Sequence, residues 1–163
     1  MYYLKKKKPK KEVLFEKKRK QGLAPLIKKL DRVFSEYIRL RDSRSFGYKY
    51  FKCISCGMVK PYEQMDCGHF ISRTHMATRF DEKNCNGECR ACNRMSADHI
   101  IYYQRNLIQK YGEETVDMLI ARGHSTKKWT AWELEILITH YKEEINRMTK
   151  ERDGAQGIHI KDA

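Results

Sequence analysis

Cys53-Ile-Ser-Cys56-Gly57 and, separated from it by 32 residues, Cys89-Arg-Ala-Cys92-Asn93 are two C-x-x-C knuckles. Each knuckle can present two thiolates to one tetrahedral ion, so together they complete a four-cysteine zinc site. Gly57 suits the sharp turn that lets backbone N–H groups point at the sulfurs of the first pair. Metal binding is expected rather than disulfides because the chain reads as an intracellular protein, and cytosolic thiols stay reduced. Cys67 and Cys85 complete the count of six cysteines but lie outside this spacing. Cys85 is close enough in sequence to Cys89 to compete as a ligand, yet small buried hydrophobes are the expected role of both.

Between the knuckles stand Asp66-Cys67-Gly68-His69-Phe70, then Arg73, His75 and Arg79, then Asp81-Glu82-Lys83-Asn84, and Asn93 follows the second knuckle directly. Hydrolysis of a phosphodiester at neutral pH needs a deprotonated water, a divalent cation to neutralise charge on phosphate and leaving oxygen, and groups that hold both in line. His69 can supply the base, and Asp66 with Asn93 the hard oxygen ligands. Singly, each would read as a packed histidine or a turn residue; their joint spacing with the cysteines gives them this meaning.

Outward from the centre the pattern is helical. Leu23, Leu26, Ile27, Leu30, Val33, Phe34, Tyr37 and Ile38 recur at the spacing of one buried helix face. The aromatic stretch from Phe46 to Lys52, followed by Gly57 and Pro61, predicts short paired strands and tight turns. Ile100, Ile101, Tyr103, Leu107 and Ile108 predict a helix ended by Gly112, and a brief helix follows around Val116 to Ala121. Thr130 and Glu133 form a capping box at the start of a last helix, with Trp129 and Leu134 placed as a hydrophobic staple. Beyond Glu151 the periodicity fades and a disordered tail is expected. The resulting expectation is an α+β fold with a long N-terminal helix, a zinc-stapled centre holding the site, and C-terminal helices. It divides into a basic arm over 1–22, one domain over 23–150 and a tail over 151–163.

The chain has 163 residues and a formal net charge of +13, which favours a polyanionic partner through counterion release. Lys5, Lys6, Lys7, Lys8, Lys10, Lys11, Lys17, Lys18, Arg19 and Lys20, opposed only by Glu12 and Glu16, put ten minus two, or +8, of that charge in the first 20 residues. Such a segment repels itself and orders on a phosphate backbone, or serves solubility alone. No apolar run is long enough to span a membrane, so DNA rather than a membrane is the expected partner, with Arg73 and Arg79 as further contacts.

C-x-x-C, D-x-G-H-F, an asparagine and C-x-x-C-N, in that order, resemble the HNH nucleases in which a treble-clef zinc framework carries a ββα-metal site. More closely, Cys53-x-Ser-Cys-Gly, Asp66-x-Gly-His69-Phe70, Arg79-Phe80, Asn84, Cys89-x-x-Cys92-Asn93, Tyr111-Gly-x-Glu-x-Val-Asp117 and Trp129-Thr resemble the phage NinG, or Rap, recombination family over roughly residues 25–150. That resemblance implies a phage- or prophage-encoded protein working in the bacterial host cytoplasm, cleaving branched DNA such as Holliday junctions and D-loops. It makes His69 the base, Asp66 and Asn93 ligands of a catalytic Mg2+ or Mn2+, and Asn84 the residue that orients the His69 loop. Asn93 also resembles the asparagine after the last zinc cysteine in endonuclease-seven-type junction resolvases. The commonest HNH pattern has an aspartate immediately before the histidine; here Gly68 stands there, so His99 is an alternative ligand to Asp66. Symmetric resolution of a junction would favour a homodimer.

Two other readings fit the same charge and knuckles. One is a zinc-dependent DNA-binding module without catalysis. The other is an adaptor that recruits phage or host recombination proteins through its C-terminal half. The sequence leaves open the oligomeric state, the preferred branch geometry or sequence, the catalytic metal in vivo, the host, and whether Asp66 or His99 completes the metal site.

Overall fold

The computed structural model describes residues 22–96 and 98–158, and the expected basic arm falls almost wholly outside them. Helix α1 (Ala24–Ser43) carries a proline in its first turn, where the missing N–H costs nothing, and buries Leu30, Phe34, Tyr37, Ile38 and Leu40. It packs along the last helix, α5 (Ala131–Ile158). Their shared core is aromatic: Phe34 meets Phe80 edge-on at 5.8 Å and Tyr141 at 5.0 Å, and Trp129 meets Phe80 at 5.8 Å. Edge-to-face pairs of this kind add about 0.5–1.5 kcal/mol beyond the area they bury.

The capping box forms at the start of α5. Glu133 Oε2 accepts the Thr130 N–H at 2.8 Å, and Thr130 Oγ1 accepts the Glu133 N–H at 3.2 Å. The helix does not stop at Glu151 as the sequence reading expected but runs to Ile158. Once a helix is nucleated, each added residue is cheap, and Glu151 is held by Arg44 at 2.8 Å. The residues of the expected tail from 159 on lie outside the described ones.

Two small antiparallel sheets sit against α1. In the first, β1 (Tyr50–Lys52) pairs with β2 (Val59–Pro61). In the second, β3 (Met65–His69) pairs with β4 (Cys85–Cys89) in the register Asp66↔Glu88, Gly68↔Asn86 and His69↔Cys85. Side chains alternate along a strand, so Met65, Cys67, His69, Cys85, Gly87 and Cys89 share one face of this hairpin and Asp66, Gly68, Asn86 and Glu88 the other.

Helices α2 (Arg90–Met95), α3 (His99–Tyr111) and α4 (Glu113–Gly123) follow β4. A second core of Phe70, Tyr103, Leu107, Val116 and Leu119 joins α3 and α4 to the strand end. The C-terminal end of α1 is tied to β4 by charge. Asp42 Oδ2 accepts the Gly87 N–H at 2.6 Å, while Arg41 donates to the carbonyls of Glu82 and Cys85 at 2.8 and 2.9 Å. Burial works to raise the Asp42 carboxyl, but Arg41, Lys110 and the Gly87 N–H hold it below the usual carboxylate range.

Candidate metal centre and the two faces of the hairpin

Cys53 follows β1 and Cys56 lies in the turn that Gly57 closes at φ +69°. Cys89 ends β4 and Cys92 lies in the first turn of α2. Their four sulfurs lie within 4.8 Å of one another. A tetrahedral ion with Zn–S bonds near 2.3 Å separates its sulfurs by about 3.8 Å, so the donor set fits zinc. The Cys89 N–H already points at Cys53 Sγ at 3.3 Å, the kind of amide-to-sulfur contact that steadies a thiolate. Burial pushes the Cys53 thiol up to about 11 against the backbone N–H groups around it. Metal loading must therefore displace a proton from a thiol that would otherwise keep it.

The clamp fixes α2 beside the polar face of the β3–β4 hairpin. There Asp66 Oδ2 accepts from Asn93 Nδ2 at 3.1 Å and from Arg94 Nε at 2.7 Å, and Arg94 Nη2 reaches Oδ1 at 2.9 Å. Burial works to raise the Asp66 carboxyl, but the bonds from Arg94 and Asn93 and the nearby charges of Arg94 and Arg90 hold it below the usual range. Directly across the register stands Glu88, fully buried. Its Oε1 accepts the Ser55 hydroxyl and lies 2.9 Å from His99 Nδ1, whereas its Oε2 has no hydrogen-bond partner. Glycine at 68 makes room for this carboxyl, because a Cβ there would stand 2.8 Å from Glu88 Cβ.

His69 lies on the opposite face. Its Nε2–H donates to the Arg79 carbonyl at 3.1 Å, and one ring nitrogen lies within 4.8 Å of both Cys67 Sγ and Cys85 Sγ. Burial pulls its pKa below the ordinary 6.5, helped by the charges of Arg73 and Arg79 and opposed by the carbonyls of Arg79 and Cys67, so the imidazole is neutral at physiological pH. Asn84, fully buried, spans the loop between β3 and β4. Its Oδ1 accepts the Ile71 N–H at 2.7 Å, and its Nδ2 donates to the carbonyls of Ile71 and Thr78, both at 3.0 Å.

The family model described as NinG, Bacteriophage Lambda NinG protein, matches residues 2–151. The chain belongs to the NinG family. Protein ninG of Escherichia phage 933W is 32% identical over 143 residues, a span covering 84% of this chain and 66% of that protein. Protein ninG of Escherichia phage lambda is 31% identical over 143 residues, covering 84% of this chain and 65% of its own length. Protein ninG of Salmonella phage P22 is 31% identical with coverage of 84% and 66%. The chain thus spans just under two thirds of the length of these relatives. No solved structure matches it. No helix among the described residues is long and apolar enough to cross a membrane.

In this NinG-family chain the expected site residues are divided. Asp66 and Asn93 meet, and Asn84 pins the loop that follows His69, but His69 itself faces away from Asp66. The two are three residues apart on an extended strand, so they lie on opposite faces and about 10 Å apart along it. His99 pairs with Glu88 rather than joining Asp66. Arg73 is exposed, whereas Arg79, the other basic residue of the loop expected to contact DNA, is half-buried and ion-paired. Its Nε and Nη2 bind Asp31 at 2.8 and 2.6 Å, and its Nη1 donates to the Arg73 carbonyl at 2.9 Å, which staples the loop to α1. Cys85 does not compete for the four-cysteine site; it lies with Cys67 and His69 instead. Sequence reasoning missed Glu88. Its position two residues along β4 from Asn86, on the face shared with Gly68, is the signal that a strand reading of 85–89 would have supplied.

Proposed function

We propose that this chain is a metal-dependent endonuclease acting on branched DNA recombination intermediates such as Holliday junctions and D-loops. The observation that carries the reading is the pair of carboxyl groups of Asp66 and Glu88, opposite one another on one face of a hairpin, with Asn93 attached to the first and His99 to the second. Carboxyl and amide oxygens are hard donors of the kind Mg2+ or Mn2+ takes, and Asp66, Glu88 and His99 would have to close up to share one ion, because their ligand atoms do not all lie within 4.8 Å of one another. Glu88 Oε2, buried without a partner, fits such an ion, since an unsatisfied buried acceptor otherwise costs about 1–3 kcal/mol. The cation, when bound, would neutralise charge developing on the phosphate and the leaving oxygen.

The chain's own residues supply the rest. His69, neutral because it is buried, is the base the family resemblance implies, and it would have to turn toward the polar face to take a proton from a water held beside Asp66 and Glu88; Asn84 holds the loop that fixes the ring's surroundings; and the four-cysteine clamp, in a treble-clef arrangement, fixes Asn93 on α2. The +13 charge attracts the phosphate backbone. Recombination in the phage-infected cell, with the work done in the host cytoplasm, is the setting the family implies.

One observation favours a second reading. Asp66 is already satisfied by both nitrogens of the Arg94 fork, which is how a structural ion pair looks. On that reading the chain is a zinc-dependent DNA-binding or recombination adaptor protein without catalysis. Incubating the full chain with labelled four-way junction and with linear duplex, with Mg2+ or EDTA, separates the two. Mg2+-dependent cutting of the junction supports the nuclease; tight junction binding with no cutting in either Mg2+ or Mn2+ replaces it with the adaptor.

A further inference from the structure

We propose that Cys67, His69 and Cys85 form a second metal site on the α1-facing side of the β3–β4 hairpin, taking a thiophilic d10 ion such as Zn2+ or Cu+. Their three donor atoms lie within 4.8 Å of one another. The strand register produces this grouping: His69 and Cys85 are directly opposite, and Cys67 is the next residue of β3 on the same face. Two thiolates and an imidazole are the soft donor set that zinc and monovalent copper prefer over Mg2+ or Ca2+. The Arg79 carbonyl accepts the His69 Nε2–H at 3.1 Å, which orients the ring and leaves Nδ1 for the ion.

The two thiols are better placed to share an ion than to form a disulfide. Cys67 pairs with Gly87, so Cys85 is its diagonal neighbour. Diagonal Cα atoms in an antiparallel pair are about 7–8 Å apart, beyond the roughly 4.4–6.8 Å that a disulfide spans. A metal with bonds near 2.3 Å bridges the larger gap without moving the strands. The site is also distinct from the four-cysteine clamp, because Cys85 and Cys89 are four residues, about 13 Å, apart on an extended strand. Packing alone does not account for a half-buried imidazole set between two thiols in an otherwise apolar cluster.

A filled site has a consequence for His69, whose lone pair then belongs to the metal. If His69 is the base proposed above, occupancy of this site switches cleavage off. That consequence rests on the nuclease reading; the metal site does not.

Native mass spectrometry of the reduced full chain in excess zinc tests the site directly. The wild type should carry two ions per chain, one in the four-cysteine clamp and one here, and Cys67→Ala and Cys85→Ser should each carry one. Cys85 is fully buried, so Cys67→Ala, at a half-buried position, decides the matter should Cys85→Ser fail to fold. Cadmium loading gives a second readout: thiolate charge-transfer absorption should fall by about a third in Cys67→Ala, as six bound thiolates become four. A single ion on the wild type, two ions retained on Cys67→Ala, or a Cys67–Cys85 disulfide in freshly purified protein would each overturn the proposal. In the junction assay, zinc beyond one equivalent should inhibit the wild type and spare Cys67→Ala. Two bound ions with no such inhibition uphold the metal site and remove His69 from the role of base.

Discussion

The two faces of the β3–β4 hairpin draw on alternate residues of the same two strands and hold opposite kinds of donor. The face turned to α2 and α3 carries Asp66 and Glu88 with Asn93 and His99, all hard oxygen or imidazole donors. The face turned to α1 carries Cys67, His69 and Cys85, two soft sulfurs and a ring nitrogen. The first is lined by the cations of Arg90 and Arg94, with hydrogen bonds from Arg94, and the second backs onto the aromatic core. Period-two alternation is enough to make this division, so a pattern that reads as one cluster in sequence becomes two separate groups of donors in space.

Removing what holds both faces in register should have the largest effect. Cys92→Ser should lose the clamp ion and unfold the middle of the chain, because structural zinc supplies about 10–16 kcal/mol in small zinc folds. Zinc content and near-ultraviolet circular dichroism report this, and Cys67→Ser should keep the clamp ion. Equal loss of clamp zinc in both variants would mean the ligands are wrongly assigned.

Next come substitutions confined to one face. His69→Ala should slow junction cleavage by about 10²–10⁴-fold with junction affinity intact, the range for a lost general base. Glu88→Gln should also lower the rate, and higher Mg2+ should restore part of it, because mass action refills a weakened ion site but does not replace a missing base. Full activity of Glu88→Gln would leave the polar face structural.

The same face assignment makes a pH prediction. A folded-state pKa lowered by burial keeps His69 in its neutral, proton-accepting form to below pH 6.5, so the acid limb of the cleavage profile should fall below that value. An acid limb above pH 7 would point to another base.

A smaller effect is expected at the joint between the apolar face and α1. Asp42→Asn should cost about 1.5–3 kcal/mol in urea denaturation, the range for hydrogen bonds to a charged group. Because the folded carboxyl is held below its ordinary value, this stability is fully present above about pH 4 and is lost as pH falls through the lower folded value. A wild-type advantage that persists unchanged well below pH 3 would contradict the ion-pair account.

Thr130→Ala should have the smallest effect, about 1 kcal/mol, through loss of the capping box that starts α5. It should leave zinc content and cleavage on both faces untouched. A change in either would mean that α5 couples to the hairpin more tightly than its cap suggests.

What the sequence determined by itself was local or periodic. The two knuckles picked out the four cysteines whose sulfurs the fold brings within 4.8 Å of one another, because C-x-x-C spacing turns two thiols toward one point. The helix stripes located α1 and the capping box located the start of α5, since both are statements about neighbours three and four residues apart. The end of α5 was misjudged because propagation and the Arg44–Glu151 pair carried the helix past its apolar stripe. Only the tertiary structure decided how the site residues divide. The register of β4 against β3 placed Glu88 opposite Asp66, brought Cys85 beside His69 and turned His69 away from Asp66. Packing on α1 took Arg79 into an ion pair with Asp31. Register depends on which residues of two distant segments meet, and a shift of one position would exchange the faces. The fold fixes it through the clamp at Cys89 and the Asp42 bond to Gly87, two contacts that join positions 36 and 45 residues apart.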